Sequence, residues 1–373
     1  MQEGHCSPGV TPRERYTEMV AEAVLADETG WDFYGNGEQH FIKYAATVST
    51  PQLHHAHIAA KTSRIRLRSM SVNLLPYNHP VRIAEDLVAL DILSKGRAEL
   101  GGARSNNPWT LAAFGVDPSE TRAYRDETLQ IVMKALAREE FEHHSDLYDF
   151  PPRSIPRPFQ QPGPPIHISA TGVASHEGAA RMGIGVMTGN SILGWDYAQS
   201  CFDAYNDTVG TVEPMGDYRT NRLAFSTVAV SCAPTLQKAK EIAEPVALEF
   251  VSIVLQIYSK LSKQSPDYAY LGQIEKIRGR HTDLDYLIES APYLTIGTPD
   301  DLIEKAKRMH EMGADDLILR LDGMGHENNK SAIELIGREV LPVVHTFTEH
   351  EGKTPFGMAE QVDASAAAGE EIP

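Results

Sequence analysis

The chain has 373 residues, 42% of them hydrophobic, enough for a sizeable core; at about 150 residues per domain that length means two domains unless a single α/β barrel takes it all. A formal net charge of −17 and the lack of any long Lys/Arg run argue against a nucleic-acid surface. Cys6, Cys201 and Cys232 are scattered without metal-ligand or disulfide spacing and suit a reducing cytoplasm, while no membrane-length apolar run or secretion signal is evident.

Met1 to Cys6 is short and polar but stands where a first strand belongs. Arg13 to Thr29 reads as a helix with an apolar stripe of Tyr16, Met19, Val20, Ala23, Val24 and Ala26, closed by Gly30. Trp31 to Gly37 is a second strand ending in Glu38-Gln39-His40-Phe41. His40 has either a functional role at that strand end or a structural one bridging two loops. His54, His55 and His57 fall in a helix, where residues one apart do not share a face, so no metal set is expected. Ile65 to Leu75 is a third strand. Pro80 then opens a helix, with apolar Val81, Ala84, Leu87, Val88 and Leu90 to Leu93 on one face. Arg82 and Asp86 are spaced to pair on its wet side, and Gly96 is a plausible stop. Ala98 to Arg104 is a fourth strand, completing a right-handed parallel strand-helix-strand unit.

Asn107 to Phe114 predicts a short helix over the end of the sheet, with Trp109 and Phe114 packing the loop or lining a cavity. Thr121 to Glu139 is the next helix, and Phe141 to Pro165, rich in His, Asp and Pro, is an extended connection. Ile166 to Ala170 is a fifth strand. It turns through Thr171-Gly172-Val173-Ala174-Ser175 into a helix ending near Met182, and the same residues suit an anion site or an ordinary N-cap. Gly183 to Gly189 is not a dinucleotide fingerprint, because its glycines follow a helix and enter a strand; it is the sixth strand, with Thr188 to Asn190 at its end. Trp195 to Val209 is helical, Leu223 to Ser231 is a seventh strand, and Gln237 to about Ser262 is a long helix. Residues 265–293, with Tyr268, Tyr270 and Tyr286, form an insertion of the kind that acts as a lid or is disordered. Thr298 caps a helix begun by Pro299. Asp316 to Leu321 is the eighth strand, Lys330 to Thr346 the closing helix, and Gly352 to Pro373 a disordered tail. Residues 1–349 make one domain.

The segments Leu75 to Asp86, Leu90 to Arg97 and Gly101 to Arg104 carry more than periodicity. Together they resemble the bacterial luciferase-like superfamily of flavin-dependent monooxygenases, and the resemblance runs from about Thr11 to His345. It implies a (β/α)₈ TIM barrel with insertions. It also implies reduced FMN supplied by a separate reductase, O₂, a small organic substrate and a homodimer. A coenzyme F420-dependent oxidoreductase and a non-catalytic flavin-binding protein are the alternatives.

The resemblance also implies site residues. Gln39 stands where relatives have a catalytic His, which argues against light emission. His40 is the better proton shuttle, and His79 is a further imidazole candidate. A cis peptide at Ser71-Val72 would lie against the flavin ring, with Asn73 at its polar edge. Arg104, aided by Ser105 and Asn106, would grip the phosphate, together with Thr171, Gly172, Val173 and Ser175. Arg122 matches an Arg often found near the flavin.

Overall fold

The computed structural model describes residues 1–42, 46–105, 107–189, 193–213, 218–263 and 266–361. Asn106, Asn190, Ser265 and the end of the tail lie outside these described residues. The chain repeatedly lays a helix on the sheet after leaving a strand. α1 (Pro12–Glu28) starts in a capping box between Thr11 and Glu14. β1 (Phe33–Tyr34), α2 (Pro51–Ala59), β2 (Arg66–Arg68) and β3 (Val72–Asn73) follow. The single strand expected over Ile65 to Leu75 is thus two pieces. α3 (Pro80–Ser94) is capped by the His79 ring and ends at Lys95, whose φ of 57° begins the left-handed turn that Gly96 continues. Arg82 reaches Asp86 at 2.9 Å on its exposed side.

β4 (Ala98–Ala103), α4 (Pro108–Ala113), α5 (Thr121–Ala137), β5 (Ile166–Ala170), α6 (Val173–Met182), β6 (Gly185–Thr188), α7 (Trp195–Thr208) and β7 (Leu223–Cys232) come next. They are followed by α8 (Leu236–Leu261), α9 (Leu284–Ser290), β8 (Leu294–Gly297), α10 (Pro299–Glu311), β9 (Asp316–Leu319), α11 (His326–Glu339) and α12 (Leu341–Val344). All nine strands join one parallel sheet in the order β1-β2-β4-β5-β6-β7-β8, with β3 also beside β4 and β9 also beside β7. β7 serves two neighbours in succession: Ala224 to Thr227 pair with β9, and Val228 to Cys232, past a register shift, with β8.

Several expectations are corrected. Residues 1–6 form no ladder, because their bonds run singly to the last residue of β9, to loops and to side chains. The Met1 ammonium donates to the Leu319 carbonyl (2.8 Å), the Gln2 N–H to the Gly35 carbonyl (2.9 Å) and the Gln2 amide to the Leu321 carbonyl (3.1 Å). This segment therefore bridges the ends of β9 and β1. Phe141–His144 and Asp149–Arg153 pair as an antiparallel hairpin rather than an open loop, since Phe141 and His143 alternate inward. The insertion is a 3₁₀ stretch, Pro266–Arg280, followed by α9, and β8 was not anticipated at all. The closing helix begins early, at His326, and is divided before Pro342. Part of the tail is ordered. Thr354 is fully buried, and Glu360–Gln361 pairs antiparallel with Tyr218–Arg219. α8 is long and apolar enough to cross a membrane by length and composition, against expectation, yet it seats Ala239, Ala243, Ala247 and Val251 in a core shared with β7 and β8.

The inner face of the sheet is filled at the strand starts. Arg68 lies between Glu99 (2.6 Å) and Asp316 (2.9 Å), Arg222 also holds Asp316, and the Arg68 guanidinium covers the Phe33 ring. Burial pushes the Glu99 carboxyl up, but Arg68 and Arg66 outweigh it and hold it at about 2. Above this layer Met70, Met187, Ala224 and Ile318 pack together. Gly101 permits that packing, because a Cβ there would lie 2.0 Å from the Ser69 carbonyl oxygen. The other end of the sheet, where strands finish, carries the loops of the resemblance.

Candidate active site

Glu38 is the centre of the loop after β1. It is 6% exposed, and its carboxylate accepts the Asn73 N–H at 2.8 Å, the Asn78 amide at 3.0 Å and the His40 Nε2 at 2.8 Å. The carboxylate thereby ties the end of β1 to the end of β3 and to the turn before α3. The Asn107 side chain donates to the His40 carbonyl (3.0 Å) while also capping α4, so three strand ends converge on His40. The His40 ring stands edge-on to Tyr77 and Phe114, which stack with centroids 4.0 Å apart. Burial, then the nearby Glu38 charge, raises the Tyr77 phenol well above its ordinary range.

Gln39 turns elsewhere. Its amide donates to Glu3 (3.1 Å), whose other oxygen pairs with Arg320 (2.9 Å). His79 accepts the Val81 N–H at 3.3 Å and sets its ring against Tyr148 and Phe150 of the hairpin, so it is a helix cap and not a member of the His40 cluster. The Ser71-Val72 bond is trans, against the cis expectation; the described cis bond is Gln161-Pro162. The trans strand places Ser71 O to accept the Glu38 N–H (3.3 Å), and it avoids the roughly 3–4 kcal/mol of a non-proline cis form. Asn73 is buried beside Glu38.

A second group lies at the ends of β4 and β5. Arg104 directly follows β4, half-buried, and Ser105 takes a left-handed φ of 52°. Arg125 on α5 has its affinity for a proton lowered, first by burial and then by Arg104 and Arg122, in spite of its pairing with Asp126. Arg104 and Arg122 thus add positive charge near Arg125, with Asp126 offsetting part of it. After β5, Gly172 is the N-cap of α6 with no side-chain cap bond. The Thr171 hydroxyl meets the Tyr270 hydroxyl at 2.8 Å, and a Cβ on Gly172 would sit 3.2 Å from the Tyr270 ring. Val173 opens the helix, and Ser175 donates its backbone N–H to the Gly172 carbonyl. His176 bridges the Gly172 carbonyl and the Thr188 hydroxyl, joining the ends of β5 and β6, and burial lowers it to about 4.

The chemistry of this set fits a phosphorylated flavin: guanidiniums and a glycine-capped helix start for the anionic tail, and buried polar groups beside an imidazole. Glu38, Asn78 and Arg125 were not picked out from sequence, and Tyr270 was named only as one of three tyrosines in the insertion. Glu38 was visible inside the tetrapeptide, but its partners lie 35 and 40 residues away. A cleft of about 520 Å³ lies instead where strands begin, lined in part by Trp31, His345 and His350. Its His345 and His350 pair with Asp32 and Asp315, and none of the residues above line it. Among the described residues, Glu18, Glu22 and His326 stand close enough for a metal, but Arg15 already pairs with Glu18 and Glu22.

Comparison with known proteins agrees. The family model described as luciferase-like monooxygenase matches residues 2–316. The oxygenase component of a flavin-dependent trigonelline monooxygenase from Acinetobacter baylyi is 26% identical, over 89% of this chain and 91% of that protein. Among solved structures, the oxygenating constituent of 3,6-diketocamphane monooxygenase from Pseudomonas putida, in complex with FMN, superposes with a TM-score of 0.74 at 20% identity, covering 93% of this chain and 98% of that one. The coenzyme F420-dependent tetrahydromethanopterin reductase of Methanopyrus kandleri gives 0.65 at 17% identity, covering 92% and 97%. With its model spanning most of the sequence, the chain belongs to the luciferase-like monooxygenase family and is an enzyme of the flavin-dependent monooxygenase kind.

Proposed function

We propose that this enzyme uses reduced FMN, delivered by a separate reductase, and O₂ to oxygenate a small organic substrate. The observation that carries the proposal is the pairing of two groups at the strand ends: Arg104 and the glycine-capped start of α6, which follow the neighbouring strands β4 and β5, and the buried Glu38–His40 pair. Arg104 would take the phosphate through its planar fork, and the Gly172 amide and the Ser175 hydroxyl would complete the grip, with Thr171 and Val173 at its edge. When bound, the reduced flavin supplies the electrons that activate O₂. Glu38 fixes the His40 ring through Nε2, so Nδ1 is the atom by which this ring would hold or pass a proton. Tyr77 and Phe114 keep that ring against apolar neighbours, and the 266–280 stretch, joined to Thr171 through Tyr270, would keep water out.

Several finer readings go with it. The sheet is a (β/α)₈ barrel closed by residues 1–6, supported by their bonds to both β9 and β1. A homodimer through α2 and α3 is supported by the exposed Leu53, Ile92 and Leu93 on them. A cytoplasmic setting is supported by three free cysteines. The second reading is an F420-dependent oxidoreductase, favoured by the likeness to the F420-dependent reductase, since the same anion grip would serve either phosphate. Equilibrium titration with FMN, riboflavin and F420 separates them. FMN is expected to bind tightly and riboflavin, lacking the phosphate, weakly. Arg104→Ala should weaken FMN by about 10- to 100-fold and leave riboflavin unchanged, the size of a lost charge-assisted bond. F420 binding without FMN binding would overturn the proposal.

A further inference from the structure

We infer that the substrate is an uncharged aromatic compound, seated between the rings around His40 and one flank of α8; this rests on the reading of that mouth as a flavin site. Phe41 carries two unfavourable features at once. Its ring is 63% exposed, and its backbone is held at a φ of 62°, an outlier for a bulky residue. Strain and an apolar ring in water, combined on the residue beside His40, indicate a surface kept for a ligand. Phe114, 40% exposed, lies 6.0 Å from the Phe41 ring and stacks on Tyr77, so the cluster offers open ring surface.

The opposite wall is α8. Its buried stripe leaves a flank of Val246, Phe250, Ile253 and Ile257, spaced as one helix face, with both isoleucines 47% exposed. The Val246 and Phe250 end of this flank borders the same mouth. Val246 lies 3.2 Å from the position of a Cβ on Gly323, just beyond β9, and the Arg320 guanidinium is 5.8 Å from the Phe250 ring. Arg320 in turn pairs with Glu3, which holds Gln39 next to His40. The charged groups named along this rim are already engaged, Glu3 paired with Arg320 and the Glu38 carboxylate paired with the Asn73 N–H, the Asn78 amide and the His40 ring. A charged substrate would have to break one of those pairs, whereas a neutral ring gains stacking and edge contacts.

The test is calorimetric titration of the full-length protein with indole as a neutral ring, decanal as a neutral chain and trigonelline as a charged ring, with FMN affinity measured on the same samples. Indole should bind at least about tenfold more tightly than either competitor. Phe41→Gly, which relieves the backbone, and Ile253→Asn, on an exposed position, should each weaken indole about fivefold or more while FMN affinity stays unchanged. Equal or tighter binding of decanal or trigonelline overturns the inference, as does unchanged indole binding in both variants. So does an Ile253→Asn protein that changes oligomeric state instead, because the flank would then be a self-contact. Indole binding as expected, in a protein that takes no FMN, would keep the aromatic slot and remove the flavin reading.

Discussion

Glu38 and His40 illustrate what single residues contribute. His40 stood out because of its neighbours in sequence, whereas Glu38 is identified by the Asn73 amide and the Asn78 side chain, partners the chain brings from another strand end. Gln39, next to His40, turns to Glu3 because successive residues leaving a strand point to opposite sides. His40→Ala is expected to lower kcat by about 10²-fold or more, in line with removal of a proton-handling group, while FMN affinity stays within about twofold. A parallel loss of FMN binding would instead make His40 a structural residue. Glu38→Ala should lower stability by about 1–3 kcal/mol in a urea titration, since it strands the buried Asn73 N–H.

Among elements, those with caps and a long apolar period were legible. Thr298 and Asp301 form the capping box that starts α10 at Pro299, and α3 buries Ala84, Leu87, Val88 and Leu90 of its predicted face while Ile92 and Leu93 of that face are exposed. β8 was not, because four buried residues at the end of an irregular insertion have no period to read. The tail reads as disordered from its composition, yet Thr354 is buried through contacts with Asn221 and Arg222 that composition does not register. The 266–280 stretch was legible only as an insertion; it meets the end of β5 through the Thr171–Tyr270 pair and the Tyr270 ring over Gly172. Tyr270→Phe removes that hydroxyl, so trypsin cleavage at the exposed Arg278 and Arg280 should quicken by about two- to tenfold, the opening expected from one lost hydrogen bond. An unchanged cleavage rate would mean that other contacts hold the stretch.

For the whole molecule, the parallel α/β architecture followed from the alternation of strand and helix, but the filling of its inner face did not. Arg68, Glu99 and Asp316 are distant in sequence and meet only when the sheet curls. Arg68→Met leaves two buried carboxylates with less compensation and should cost about 3–5 kcal/mol in denaturant titration. The same layer sets a pH dependence. Glu99 is held at about 2 against an ordinary 4.5, so its contribution is complete above about 4.5 and is lost as pH falls toward 2. Burial lowers His55 and His167 to about 3 from an ordinary 6.5, so their contribution is complete above 6.5 and is lost as pH falls toward 3. Thermal midpoints should therefore fall steadily on acidification below about pH 6, and a midpoint flat to pH 4 would contradict this.

The most direct measurement is a crystal structure of the protein soaked with FMN. The phosphate is expected within hydrogen-bonding distance of Arg104 and of the amides at the start of α6, with the ring system facing the Glu38–His40 pair. A phosphate bound anywhere else, above all in the cleft where the strands begin, would contradict the flavin site at its foundation.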